Sequence, residues 1–386
     1  MAISTSHGHS ALRGEGLGER LRTVRARLIA SPKFQRWAAR SPFTRLIARR
    51  RAKALFDLCA GFVYSQTLYA CVQLALFDFL SAGPRSVGDV AHAKSLSADA
   101  ARRLLRAAAS LKLLRAIPGD KFGLDDLGAA MLGNPSIAGF VAHHALLYDD
   151  LRDPVALLRG ETATKLSQFW PYAADRPGGE RTDVRGDAAA AYGALMAQSQ
   201  EFIAEDVLGA LTLGPYACLL DVGGGEGVFA AAAAARAPRL KVMLFDLPAV
   251  AARAQDRLER MGVSGRVTTY GGSFLSDPLP LGADLISLIR VLHDHDDESA
   301  LAILRAVRRA LPPGGTLLVA EPMAETPGAE GIGDAYFGFY LLAMGRGTAR
   351  SPESIESLLR QAGFSPTRRL ETPRPLLTGA LLARAV

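Results

Sequence analysis

The sequence predicts an α/β protein: a Rossmann-like domain built on a parallel sheet, preceded by a mostly helical domain. Three observations predict it. Cys218 to Val222 is a short apolar run carrying Asp221, and it leads through Gly223, Gly224, Gly225 and Gly227 into the alanine-rich run Val228 to Ala237, which reads as strand, tight turn and helix. A second apolar run, Lys241 to Phe245, ends in Asp246, roughly 20 residues past the turn, where a doubly wound sheet sets a carboxylate beside the first loop to bind ribose hydroxyls. Upstream, Leu74 to Leu80, Ser86 to His92 and Ala98 to Leu114 read as helices, followed by a hairpin of Arg115 to Pro118 and Lys121 to Leu124 around Gly119-Asp120.

At 386 residues and 49% hydrophobic content, the chain has material for two or three cores. Three domains are expected: a basic arm over 1–53, a helical domain over 54–205 and the Rossmann-like domain over 206–386. Cys59, Cys71 and Cys218 are odd in number and lack metal-ligand spacing, and no apolar segment of signal-peptide type occupies the first thirty residues. A reducing cytoplasm and no metal are therefore expected. Leu58 to Phe77 carries no charge and is long enough to span a bilayer. Ser65, Gln66, Thr67 and Gln73 interrupt it and Asp57 and Asp78 bracket it, so it reads as a buried helix at a subunit interface.

Taken in order, the arm comes first. Arg13 to Lys53 holds thirteen Lys or Arg against two acids, whereas the whole chain carries a net charge of only +7. Phe34, Trp37, Phe43, Leu46 and Ile47 are interleaved with the cations, and Ser31-Pro32 and Ser41-Pro42 read as openings of short helices. This pattern suits a helix lying on an anionic membrane surface, peripheral to the cytoplasmic face; a solvated tail fits as well, and nucleic acid ranks below both. The three helices and hairpin form a winged-helix pattern, which in isolation points to DNA. The third helix offers only Arg102, Arg103, Arg106 and Lys112 among many alanines and leucines, so dimerisation is the better reading. A metabolite-sensing, DNA-binding regulator is the alternative from another class.

Ile137 to Gly160 and Asp187 to Gly209 read as helices, with Leu166 to Gly186 between them as a loop. Their aromatic and methionine content nominates Tyr148, Phe169, Trp170 and Met196 as walls of an acceptor pocket, with Tyr340 and Met344 from further on. His143 and His144 lack a third metal ligand. Beyond Asp246 the chain alternates: helix Pro248 to Met261, strands Val267 to Tyr270 and Leu285 to Ile289, helix Asp297 to Leu311, strand Thr316 to Glu321. The segments Pro366 to Glu371 and Leu377 to Ala385 close the sheet as a hairpin, which the dinucleotide fold does not do.

The nicotinamide fingerprint requires G-x-G-x-x-G, but starting from Gly223 its third glycine position is Val228. The pattern Asp-x-Gly-x-Gly-x-Gly from Asp221 to Gly227 instead resembles motif I of the S-adenosylmethionine-dependent methyltransferases. Four further motifs follow in order: Phe245-Asp246-Leu247-Pro248, Gly271-Gly272-Ser273-Phe274, Arg290-Val291-Leu292-His293-Asp294 and Val319-Ala320-Glu321-Pro322. Together they resemble the small-molecule O-methyltransferases that dimerise through a winged-helix domain, over roughly Leu55 to the C-terminus. Within that group, Phe56 to Gln66 and the basic extension look most like the bacterial hydroxyneurosporene O-methyltransferases, which act on 1-hydroxycarotenoids. An aromatic polyketide or a tetrapyrrole is the rival acceptor.

The resemblance implies a homodimer without nucleic acid, S-adenosylmethionine held by Asp221, Gly223, Gly225, Gly227, Asp246, Leu247, Ser273, Phe274 and Arg290, and catalysis by His293 with Glu321. Three positions depart from the family pattern: Ser273 stands where an acid usually contacts adenine, His295 replaces a tryptophan, and Ala349 replaces a second carboxylate. Only Glu321 is then expected to orient His293. An aliphatic hydroxyl is too weak an acid for an imidazole of reference pKa about 6.5 to ionise beforehand, so proton removal should accompany methyl transfer.

Overall fold

The computed structural model describes residues 17–169, 200–375 and 377–386. The chain divides into two compact units, one made of residues to Leu74 with Arg85–Phe122, the other of Ala75–Pro84 with Gly123–Val386.

The first unit opens with helices α1 (Leu17–Ala30), α2 (Pro32–Arg40) and α3 (Arg45–Gln73). Ser31 caps α2, its hydroxyl accepting the Phe34 N–H, with Pro32 in the first turn where no N–H is missed. Ser41 closes α2 rather than opening a helix: its N–H donates to the Trp37 carbonyl at 2.9 Å, and its own carbonyl accepts from Thr44 and Arg45. The helix α3 ends at Gln73, short of Phe77. Cys71 is buried, yet Leu58, Phe62 and Val63 are exposed, so the described residues do not supply the burial expected for the first part of this stretch. Among the described residues α3 is the one helix long and apolar enough to cross a membrane.

A three-stranded sheet in the order β1-β3-β2 follows, from β1 (Arg85–Ser86), β2 (Leu114–Ile117) and β3 (Lys121–Leu124). With it come α5 (Val87–Ala93), whose capping box pairs Ser86 with Asp89, and α6 (Ala98–Ser110), which buries Ala101, Leu105 and Ala108. This last helix stops at Ser110 instead of running to Leu114, because Lys112 turns to φ +61° and Leu114 enters the strand.

The second unit contains α4 (Leu76–Ser81), α7 (Asp126–Leu132), α8 (Pro135–Asp150), α9 (Pro154–Leu158) and α10 (Lys165–Phe169). The single helix expected over Ile137 to Gly160 is broken after Asp150. Asp153 caps α9 by accepting from Val155 and Ala156 with Pro154 behind it, and Asp150 turns to accept from Lys165 and Leu166. Leu166 to Phe169, expected in a loop, lie in α10, and residues 170–186 of that predicted loop, with the first part of the helix expected over Asp187 to Gly209, fall outside the described residues.

Seven strands form the main sheet in the order β6-β5-β4-β7-β8-β10-β9: β4 (Cys218–Val222), β5 (Lys241–Asp246), β6 (Val267–Gly271), β7 (Leu285–Ile289), β8 (Thr316–Glu321), β9 (Arg368–Leu370) and β10 (Gly379–Arg384). The first five run parallel, while β10 lies antiparallel between β8 and β9. Alternation along each strand sorts the core into two layers. Leu220, Ile286, Leu317 and Leu381 pack with Ile303, Val307 and Leu359 on one face; Leu219, Leu285, Leu318 and Leu382 pack with Phe229, Ala230 and Leu258 on the other. The parallel strands therefore end on one edge, at Val222, Asp246, Ile289 and Glu321.

Candidate active site

The first element of that edge is the turn after β4. Gly223 takes φ +70°, donates to the Phe245 carbonyl at 2.8 Å, and leaves no room for a Cβ, which would stand 2.7 Å from Val291 Cγ2. Asp246 is buried at the end of β5, with Oδ2 accepting from the Gly225 N–H at 2.8 Å and Oδ1 from the Leu247 N–H at 2.7 Å. Each carboxylate oxygen can accept a second hydrogen bond, so Asp246 is pinned in place and still able to receive hydroxyl donors. Above Gly225 there is open space. Gly227, at φ +79°, starts the helix Val228–Arg236.

Asp221 lies deeper. Its Oδ1 accepts from the Ser287 hydroxyl at 2.7 Å, and its Oδ2 is buried without a partner among the described residues. Burial, opposed by the Ser287 bond and reinforced by nearby Asp246, pushes the Asp221 carboxyl up to about 7.

Beyond Asp246 a cleft opens between Leu247, Ser273, Phe274, Leu275, His295 and Arg346. Phe274 meets the His295 ring edge-on at 5.4 Å. His295 is buried, which lowers its pKa and keeps the ring neutral, and its Nδ1 has no partner among the described residues. The Ser273 N–H is tied to Asp277 at 2.8 Å. Phe274 and Leu275 give this narrow slot an apolar lining against which an aromatic ring can stack.

The third element is the turn after β7. Arg290 adopts φ +58° and donates its N–H to the Ala320 carbonyl at 2.8 Å, which turns the chain into the short 3₁₀ segment Leu292–Asp294. Glu321, buried at the end of β8, spans this turn: Oε1 accepts from the Val291 and Leu292 N–H groups at 3.0 and 2.7 Å, and Oε2 pairs with His293 Nδ1. His293 Nε2 lies 3.0 Å from Asp294 Oδ1. Burial disfavours a charged imidazole, but Asp294 and Glu321 together outweigh it and raise the His293 pKa to about 9. Glu321 holds Nδ1, while the Asp294 carboxylate faces the opposite ring nitrogen, Nε2.

Two parts of this frame carry no sequence signal. Arg350 is buried, donating to the Leu292 carbonyl at 2.7 Å, the His295 carbonyl at 2.8 Å and Asp297 at 2.8 Å. Thr348 donates its N–H to the His293 carbonyl at 2.8 Å, and Gly347, at φ +99°, passes so close that a Cβ would overlap that carbonyl. Segment 347–350 therefore clamps the His293 turn.

Beside His293 stands an aromatic wall. Phe337 lies 6.4 Å from the His293 ring, Tyr336 bonds His144 at 2.8 Å, and Tyr340 bonds His143 at 2.9 Å. Burial lowers His143 to about 4, and pushes the Tyr336 hydroxyl well above its usual range, so the wall is uncharged at neutral pH. Tyr336 and Tyr340 stack at 5.9 Å where the π-helix of residues 331–337 leads into the helix Gly338–Met344. Their i, i+4 spacing was the signal available in the sequence. Tyr148 is half-buried with its ring edge-on to His144 at 6.0 Å. Tyr340 and Met344 are buried in a cluster with Leu147, Leu157 and Leu166. Trp170 and Met196 lie outside the described residues, and the Phe169 side chain likewise.

Residues 148–365 match the O-methyltransferase domain family, and residues 56–133 match the O-methyltransferase dimerisation domain. The chain belongs to the O-methyltransferase family. This O-methyltransferase is 44% identical to the demethylspheroidene O-methyltransferase of Cereibacter sphaeroides over 95% of its own length and 96% of the relative's. It is 38% identical to the protein of the same name from Rhodobacter capsulatus, over 92% and 88% of the two chains. Its fold resembles the crystal structure of human N-acetylserotonin methyltransferase in complex with SAM, with a TM-score of 0.68, 26% identity and coverage of 86% and 97%. The family uses S-adenosylmethionine and its dimerisation domain supports a homodimer. The residues present fit that cofactor: a pinned carboxylate with spare acceptor capacity, an open glycine turn and a narrow apolar slot against which an aromatic ring can stack.

Proposed function

We propose that this O-methyltransferase methylates the tertiary hydroxyl of a 1-hydroxycarotenoid, with His293 as base and Glu321 as the residue that positions it. The observation that carries the chemistry is the His293–Glu321 pair at the carboxyl edge of the sheet, alongside the Asp246 turn. In this reading Asp246 receives the ribose hydroxyls, the turn at Gly223, Gly225 and Gly227 lets the cofactor approach the backbone, and Leu247, Ser273 and Phe274 enclose the base. Asp221 acts from beneath, supporting the turn, and Arg290 shapes the His293 loop through its backbone.

S-adenosylmethionine supplies an activated methyl group. The remaining requirement is an oxygen nucleophile held in line with it, where orientation provides most of the rate. With Glu321 on Nδ1, Nε2 is the nitrogen left to act on the substrate hydroxyl: His293 would exchange its contact with Asp294 for that hydroxyl and take its proton as the oxygen accepts the methyl group. Glu321 then stabilises the imidazolium. The identities to two demethylspheroidene O-methyltransferases support the acceptor class, as does the uncharged wall of Phe337, Tyr336 and Tyr340. Tyr148, Phe169, Trp170, Met196 and Met344 complete the proposed acceptor lining.

Incubation with labelled cofactor and either a hydroxylated carotenoid or an aromatic phenol tests the assignment. A methylated carotenoid by mass, with no methylated phenol, is expected. The reverse pattern would overturn the carotenoid reading and leave the methyltransferase chemistry intact.

A further inference from the structure

We propose that α2, the turn after it and the start of α3 form a docking surface for an anionic lipid bilayer. Five large apolar side chains lie in this region, and four face outward: Trp37 is 57% exposed, Phe43 93%, Leu46 64% and Ile47 53%. A folded chain buries such groups unless something else covers them. The reason they remain outside is local. The helix α2 buries Ala38, Thr44 locks the turn by donating to the Ala38 carbonyl at 2.8 Å, and Trp37 packs on Phe34 at 5.6 Å while Phe43 stands out from the turn.

Cations stand near the helical members of this group, most of them one turn away. Lys33, Arg36 and Arg40 flank Trp37, and Arg49 and Arg50 follow Leu46 and Ile47. Of the Lys and Arg residues between 17 and 53, only Arg22 and Lys53 have an acidic partner among the described residues. Aromatic and aliphatic groups ringed by unpaired cations match a headgroup boundary: the rings enter the interface while the long basic side chains reach back to phosphate.

Charge excludes the other obvious cover. A second copy would bring an equally basic surface against this one, and like charges repel. The match to the dimerisation domain begins at residue 56, beyond this surface. Nucleic acid would satisfy the cations but leave Leu46 and Ile47 exposed. The proposal rests on exposure and charge alone, so it stands or falls independently of the acceptor identity.

Vesicle flotation of the full chain tests it. With phosphatidylcholine vesicles containing phosphatidylglycerol, at about 0.1 M salt, binding at least tenfold stronger than to pure phosphatidylcholine is expected, falling steeply as salt shortens the Debye length. Arg36→Glu with Arg49→Glu, and separately Trp37→Ser with Phe43→Ser, should each weaken flotation about tenfold or more. S-adenosylhomocysteine affinity should not change, showing that the variants fold. Equal binding to neutral vesicles, no flotation, unaltered flotation of both variants, or tighter binding to duplex DNA than to anionic vesicles at the same salt would each overturn the proposal.

Discussion

Glu321 holds His293 with one carboxylate oxygen and the backbone of the residues before it with the other. Oε2 pairs with His293 Nδ1, while Oε1 accepts from Val291 and Leu292. One side chain thus fixes both the imidazole and the turn that carries it. Glu321→Gln should lower turnover about a hundredfold or more, because an amide neither holds the tautomer nor stabilises the imidazolium. S-adenosylhomocysteine affinity measured by calorimetry should stay within about threefold. His293→Ala should lose turnover to a similar extent, and the double variant should be little worse than either alone, since the two act as a unit. Additive losses would show that they do not.

The raised His293 pKa predicts a pH dependence of stability. A group whose folded pKa lies above its unfolded value stabilises the fold fully below the unfolded value, and that contribution is lost as pH climbs through the folded one. For His293 the window runs from about 6.5 to about 9. The Tm of the cofactor-free protein should therefore fall across this window, and His293→Gln should flatten that slope. Turnover, which needs the neutral ring, should rise over the same interval. A Tm profile that His293→Gln leaves unchanged would contradict the assigned shift.

Asp246→Ala removes a carboxylate that accepts two backbone N–H groups and, in the proposed reading, two ribose hydroxyls. Charge-assisted hydrogen bonds contribute about 1.5–3 kcal/mol each, so cofactor affinity should drop tenfold or more. Calorimetric titration with S-adenosylhomocysteine checks this, and an unchanged Kd would place the ribose elsewhere.

Arg350→Met should destabilise the protein by about 1–3 kcal/mol. It leaves the buried His295 carbonyl without its Arg350 donor and the Leu292 carbonyl with the longer His295 N–H bond at 3.2 Å, and an orphaned buried polar group costs about 1–3 kcal/mol. Urea denaturation measures the loss. Turnover should fall further than the folded fraction does, because the His293 turn loses its clamp.

The sequence by itself determined the parts of this protein whose causes are local. The run from Cys218 to Gly227 requires a strand, a tight turn and a helix because only glycine tolerates the contacts at Gly223, and Asp246 follows from the length of one βα unit. Ser86, Ser97 and Ser31 announce their helices because a capping side chain bonds within three residues of itself. His293 and Glu321 were legible as ends of successive strands. Tertiary structure decided what depends on residues far apart in the chain. Gly347 and Thr348 close on the His293 carbonyl from more than fifty residues away, and Arg350 reaches the same turn from a similar distance. The break after Asp150 has a local cause in Asp153-Pro154, but the bonds that the Asp150 carboxylate accepts from Lys165 and Leu166 are encoded by no local pattern. The exposure of α3 shows the same limit in reverse: an apolar helix reads as buried, but whether its own chain covers it depends on which surfaces the rest of the fold brings near.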